Sequence, residues 1–521
     1  MIPELNQISA VARQAVVSRD WARVSACAME IRRRSPEDPE GAFLMGLVQK
    51  AGQRTEAAAE YFEHALQLDA DRYDAAVELA KQYLVMHRYA EARDLLEKCK
   101  DKLANSPLYL DMAGTVYSAM SLHEDAWRLH KRADELQPNV ETIQANLASC
   151  AVYVGKIDEA RSIYRKLLKQ HPSHQRNHYS LAQLDRARND RHIKKMLKAL
   201  RKGDKNPENN IYLYYGLGKE YEDLGRWNDA FRYFKAAGDA VKSVGDYRVD
   251  DDVQLMDKIV DVCTHAWLND SPSKASTDKT PIFIVGLPRT GTTLTDRILS
   301  NHSLVQSAGE TQLLQMVLRD GARAEHQIGI TPQLIEKAAV RDPATIANSY
   351  AEAIAYRLGD EQFFIDKLPE NVLYLGFIAK AWPDARIIHL RRHPMDTCFA
   401  VYKQSFFRFA YSLDDLAQYY LAYDRLSKHW RDVLQDRMIE VQYEELVSNQ
   451  EEQTRRLLDL LDFEFEESCL QFDRNAAPIA TASSVQVREK AHTRSVDRWR
   501  KFEHQLKPLR AKLEAGGIVV D

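Results

Sequence analysis

The sequence predicts an all-α repeat solenoid followed by an α/β domain built on a parallel sheet. Three observations carry this. Ala58, Ala92, Ala126 and Ala160 recur at an interval of thirty-four residues. The stretch PIFIVGLPRTGTTLTDRILSNH, Pro281 to His302, reads as a buried strand, a glycine-containing turn and a helix. After it, short apolar strand patterns alternate with helical ones, which implies a parallel sheet covered by helices on both faces.

The thirty-four-residue register extends beyond alanine. It places a small residue at Gly46, Ala80, Gly114 and Ala148, with Tyr83 and Tyr117 three residues further on. It places Phe62, Leu96, His130 and Tyr164 on the second helix of each pair, and Pro138 and Pro172 at repeat ends. Small residues sit where two helices cross closely and larger ones fill the gaps. This pattern resembles the tetratricopeptide repeat. A weaker copy precedes residue 39, and a later one spans Tyr212 to Gly238. Gln175 to Asn210 between them reads as an irregular or shortened repeat. Such stacks form superhelices with an extended concave face. The resemblance implies that this face grips a protein or peptide partner; the alternative is that it only scaffolds or dimerises the second half.

Repeat register is lost after Asp239. VDDDVQLMDKIVDVCTHAW reads as a helix at the junction, and NDSPSKASTDKT as a polar linker. The domains expected are therefore 1–240 (repeats), 241–280 (helical junction and linker) and 281–521 (α/β domain). In the last of these, ATIANSYAEAIAYRLG has helical spacing and FFIDK is a short buried strand. ENVLYLGFIAKAW is again helical, and ARIIHLRR is a second apolar strand. PMDTCFAVYKQSF opens a helix with proline near its start, and RMIEVQYEELV is a strand leading into a turn and helix. Ligands of such sheets bind beyond the carboxyl ends of the strands.

The turn after the first strand is built for an anion. Backbone N–H groups at a glycine turn and a helix N-terminus converge on negative charge. Gly286 and Gly291 sit as in a nucleoside-triphosphatase loop, but Thr292 stands where that loop carries lysine. The cation here is Arg289, inside the turn. PRTGTT at the end of a first strand resembles the 5′-phosphosulfate loop of sulfotransferases, which use 3′-phosphoadenosine 5′-phosphosulfate (PAPS). The resemblance covers Pro281 to about Leu509. It is to bacterial sulfotransferases joined to tetratricopeptide repeats, and more distantly to tyrosylprotein sulfotransferases.

That resemblance implies a P-loop-like sulfotransferase fold and assigns roles. Arg289, Thr290, Gly291, Thr292 and Thr293 hold the 5′-phosphosulfate. Arg392, in LRRHPMDTCFA, holds the 3′-phosphate. The family's serine eight residues on is Ala400 here, which weakens one 3′-phosphate contact; Arg391, Lys403 and the later basic segment are the candidates to compensate. Tyr443 contacts the adenine. In TASSVQVREKAHTRSVDRW, Ser483 aligns with a serine near the transferred group, with Ser484 as rival, and Arg488 and Lys490 reach toward the 3′-phosphate. Glu310, in SAGETQ, is the general base, preferred to His302 and His389. Lys367 stabilises the bridging oxygen, unless it is an ordinary partner of Asp366. The resemblance implies PAPS as co-substrate, no metal, and an acceptor hydroxyl such as a peptide tyrosine.

Composition removes several other classes. Seventy-two basic and seventy-six acidic residues give a net charge of −4, which argues against a general nucleic-acid binder. The six cysteines are far apart, without a C-x-x-C pair, and are read as reduced rather than zinc ligands. No window approaches eighteen apolar residues, and the N-terminus lacks the pattern of a secretion signal. The expected compartment is the cytoplasm. A kinase-like phosphotransferase is the enzymatic alternative, weakened by the missing loop lysine. A non-enzymatic scaffold with a vestigial nucleotide-binding domain is the other, kept open by Ala400.

Overall fold

The structure, a computed structural model, describes residues 3–270, 279–320, 330–475, 477–481 and 484–521. The chain divides into two compact units, Met1–Val154 and Gly155–Asp521.

The first unit is helical: α1 (Pro3–Ser18), α2 (Trp21–Arg34), α3 (Pro39–Ala51), α4 (Thr55–Leu68), α5 (Tyr73–Val85), α6 (Tyr89–Leu103), α7 (Pro107–Ala119), α8 (His123–Leu136) and α9 (Glu141–Tyr153). The repeat register explains its packing. Ala58, Ala92 and Ala126 are fully buried. A Cβ added to Gly46 would lie 2.4 Å from the Phe62 ring, and one added to Gly114 would lie 2.8 Å from His130. Both pairs are sixteen residues apart, so the small position on the first helix of a repeat receives the large side chain of the second. Polar contacts follow the same register. Tyr83 donates to Glu63 at 2.8 Å and Tyr117 to Glu97 at 2.6 Å.

The second unit begins with further helices: α10 (Ile157–Gln170), α11 (Gln175–Leu184), α12 (Arg191–Lys202), α13 (Ile211–Asp223), α14 (Trp227–Val244), α15 (Val249–Val262) and α16 (His265–Asn269). These helices pack in the same unit as the sheet, whereas the sequence boundary at 240 follows repeat register alone. The linker residues 271–278 lie outside the described residues.

The α/β part then runs β1 (Thr280–Gly286), α17 (Thr292–Leu299), β2 (Val305–Ser307), α18 (Leu313–Asp320), α19 (Pro332–Ala339), α20 (Pro343–Ile354), β3 (Phe363–Lys367), α21 (Leu375–Ala381), β4 (Arg386–Arg391), α22 (Pro394–Tyr402), α23 (Leu413–Leu434), β5 (Met438–Gln442), α24 (Tyr443–Ser448), α25 (Gln450–Leu460) and α26 (Glu503–Ala515). The five strands form one sheet in the order β2-β3-β1-β4-β5, and every pair is parallel. The central strand is buried on both faces. Ile282 and Ile284 join Ile298, Ile365, Ile388 and Leu390 in one core. Phe283, facing the other way, packs on Tyr350 and Trp382. A strand buried on both sides reads as a continuous apolar run, which is why IFIV was recognisable. The chain steps from β1 to one side of the sheet and from β3 to the other. Successive connections therefore diverge at β1, where a crevice opens above the strand ends.

Among the described residues, no helix is long and apolar enough to cross a membrane.

Candidate active site

A cavity of about 340 Å³ lies at the carboxyl ends of the strands. Its floor is the turn between β1 and α17. Arg289 has φ +70° and Gly291 φ +103°, so two residues of this turn lie in the left-handed region. At Gly291 the requirement is also steric, because an added Cβ would lie 2.7 Å from the Tyr443 ring. Thr290 fastens the turn by donating to the Leu287 carbonyl at 2.7 Å. Thr292 and Thr293 open α17 and are buried. Their backbone N–H groups belong to the first helical turn, where no carbonyl of the helix is available to them.

Two guanidinium groups converge beside this turn. Arg392, just past β4, donates to the Arg289 carbonyl at 2.8 Å and the Ser495 carbonyl at 2.6 Å, with its guanidinium 4.7 Å from the Tyr443 ring centroid. Arg289 donates to Gln486 at 2.8 Å. Burial, and then the charge of Arg392, push the Arg289 guanidinium down to about 10. The Arg392 Nε is buried with no hydrogen-bond partner among the described residues. Two neighbouring cations held mainly by carbonyls fit a strongly anionic ligand.

The expected reacting groups, Lys367 and Glu310, meet each other, and Glu310 lines the cavity. Lys367 ends β3 and is 1% exposed, and its Nζ lies 2.5 Å from Glu310 Oε1. Glu310 is exposed to the cavity. The alternative partner for Lys367, Asp366, is engaged elsewhere. It accepts from Tyr350 at 2.6 Å, Thr311 at 2.8 Å and Asn371 at 3.3 Å, and burial pushes its carboxyl up to about 6.

Neither of the two candidate histidines lines the cavity. His302 is buried, with Nε2 3.0 Å from the Glu464 carbonyl and its ring stacked on Phe463. His389 is buried within β4, with Nε2 2.7 Å from the Tyr423 hydroxyl. Burial lowers its proton affinity.

Other expected residues fall differently. Ser483 lies outside the described residues, while Ser484 is buried and donates to the Thr481 carbonyl. The Arg488 guanidinium packs over Gly155, whose added Cβ would lie 2.5 Å from it, whereas Lys490 lines the cavity. Lys403 donates to Glu222 at 2.8 and 2.9 Å, so its ammonium is already held by a carboxylate. Asp396 caps two backbone N–H groups of the closing segment, Asp497 at 2.7 Å and Trp499 at 2.9 Å. Ala400 sits on α22, partly exposed.

Sequence reasoning missed Thr481, Gln486, Glu370, Phe406 and Phe407, which all line the cavity. They come from irregular segments distant in sequence, where no spacing signal operates. Glu370 carried one cue, its place two residues beyond Leu368 in the turn that follows β3. Among the described residues, no group of three or more histidine, cysteine, aspartate or glutamate side chains is placed to hold a metal ion.

Residues 281–467 match the sulfotransferase family, and residues 50–114 match the tetratricopeptide repeat. An uncharacterized protein of Aquifex aeolicus is 25% identical over 520 residues, covering 95% of this chain and 68% of that protein. The protein-tyrosine sulfotransferase of Drosophila melanogaster is 24% identical over 239 residues, covering 42% of this chain and 46% of the fly protein. The chain thus spans about half the length of that relative. Among solved structures, the sulfotransferase domain of the Synechococcus olefin synthase is similar at 20% identity, with a TM-score of 0.34, covering 48% of this chain and 99% of that domain.

Proposed function

We propose that the protein transfers a sulfuryl group from PAPS to an acceptor hydroxyl, with a protein or peptide tyrosine as the acceptor class and the repeats binding the partner or substrate. The observation that carries the reading is that one cavity is lined by Arg289, Thr292, Thr293 and Arg392, which suit an anionic donor, and by Glu310, which is paired with Lys367. The family match at residues 281–467 supports a sulfotransferase. Its similarity to a protein-tyrosine sulfotransferase supports the acceptor class, and the repeat match supports partner binding.

When bound, PAPS supplies an activated S–O bond. The turn Arg289–Thr293 holds its 5′-phosphosulfate, and Arg392 its 3′-phosphate. Tyr443 offers the adenine a ring face. Glu310 takes the proton of the acceptor hydroxyl as its oxygen attacks sulfur in line, and the bond to the bridging oxygen breaks. Lys367, one ion pair away, neutralises charge on the departing oxygen, and Arg289 assists. The preorganised cations lose no reorganisation energy at the moment of transfer.

Isothermal titration tests the donor assignment. Adenosine 3′,5′-bisphosphate is expected to bind at least about tenfold more tightly than ATP, the equivalent of roughly 1.4 kcal/mol. Equal affinity would overturn it.

A further inference from the structure

We infer that Glu370 selects the acceptor by charge, so that the site takes hydroxyl compounds carrying an ammonium or guanidinium near the hydroxyl and rejects anionic ones. The inference rests on the donor and acceptor roles proposed above.

Glu310 and Glu370 both line the cavity and lie close enough for the charge of one to act on the other. The cavity is also lined by Arg289 and Arg392, proposed above to serve the donor, by Lys490, and by Glu489, which pairs with Arg494. Lys367 bonds Glu310 and offsets the charge of Glu370 only in part, since the Glu370 carboxyl remains raised by burial and by Glu310. Among the described residues, no lysine or arginine forms an ion pair with Glu370. Pro369 starts the short 3₁₀ turn that carries Glu370, directly after β3, so the carboxyl is presented from a rigid position. Burial, and the neighbouring charge of Glu310, favour its protonated form. A neutral or anionic acceptor leaves that cost in place. A cationic acceptor relieves it, because a desolvated carboxylate gains most from a partner of opposite sign. Phe406 and Phe407, with ring centroids 4.5 Å apart, line the same cavity and offer faces to an aromatic acceptor or to its cation.

Three phenols test this: tyramine (cationic), p-cresol (neutral) and 4-hydroxyphenylacetate (anionic). Each is titrated into the full chain saturated with adenosine 3′,5′-bisphosphate. Tyramine is expected to bind at least about tenfold more tightly than 4-hydroxyphenylacetate, with p-cresol between them. Glu370→Gln is expected to shrink that ratio to about threefold or less while leaving nucleotide affinity unchanged. Equal affinities, an anion preference, a cation preference that survives Glu370→Gln, or no binding of any phenol each overturn the inference. Failure of the transfer reading looks different. The cation order would persist and vanish in Glu370→Gln, yet no label would move from PAPS to any of the three.

Discussion

The Lys367 ammonium and the Glu310 carboxylate lie 2.5 Å apart at the carboxyl edge of β3. Lys367 is enclosed by the sheet and Glu310 faces the cavity. The buried partner thereby fixes the orientation of the exposed one. If Glu310 accepts the acceptor's proton, Glu310→Gln keeps the shape and loses the base. Turnover is then expected to fall about 10²- to 10⁴-fold with adenosine 3′,5′-bisphosphate affinity retained. Rates near wild type would remove Glu310 from that role. The buried hydrogen bonds of His302 and His389 leave neither as an obvious substitute.

The proposed anion cradle depends on the backbone at Gly291. Its φ of +103° and the 2.7 Å approach of Tyr443 oppose any side chain there. Gly291→Ala is expected to cost about 1–3 kcal/mol locally and to weaken bisphosphate binding by tenfold or more. Titration calorimetry reads the affinity, and circular dichroism checks that the fold survives. Unchanged affinity would mean that the turn does not hold the ligand.

A buried carboxylate ties the last repeat-like helix pair to the closing segment. Glu222, on α13, holds Lys403 at 2.8 Å and Arg498 at 3.1 Å. Arg498 adjoins Asp497 and Trp499, whose N–H groups Asp396 caps, and Ser495 supplies a carbonyl to Arg392. Glu222→Gln leaves two cations without that carboxylate, so a loss of roughly 3–5 kcal/mol is expected. Urea unfolding measures the loss, and limited proteolysis should newly cut near residues 493–502. A variant with wild-type stability and the same cleavage pattern would refute the coupling.

The pH dependence of stability is expected to carry the mark of Asp366. Burial raises its carboxyl from the ordinary 3.8 to about 6. Between those values the folded state holds a proton that the unfolded state has lost. The associated stability is full below about pH 4 and disappears as the pH rises through 6, amounting to roughly 3 kcal/mol. The stability difference between wild type and Asp366→Asn should therefore shrink by about that amount from pH 4 to pH 7. A pH-independent difference would contradict the assignment.

What the sequence disclosed follows from where periodic constraints act. Alanines that must fit between crossing helices recur at a fixed interval, so Ala58, Ala92 and Ala126 announced the repeats. The run Ile282 to Val285 announced a strand buried on both faces, and the pattern from Gly286 to Thr293 announced the tight turn between that strand and α17. Strand order was not legible, because register between distant strands leaves no local trace. The three-residue strand β2 was also too short to declare itself. The basic residues near the cavity were only partly sorted: Lys403 meets Glu222, and Arg488 packs over Gly155. Glycine, proline and apolar spacing report the backbone, while the partner of a long charged side chain is set by packing far away in sequence.

The most direct measurement is label transfer from ³⁵S-PAPS to a tyrosine-containing peptide or a simple phenol, with wild type and Glu310→Gln compared at saturating donor. Labelled sulfate is expected on the acceptor oxygen with wild type and at least about a hundredfold less with the variant. Wild-type protein that binds adenosine 3′,5′-bisphosphate no better than ATP, and moves no label to any hydroxyl offered, would contradict the proposed transfer.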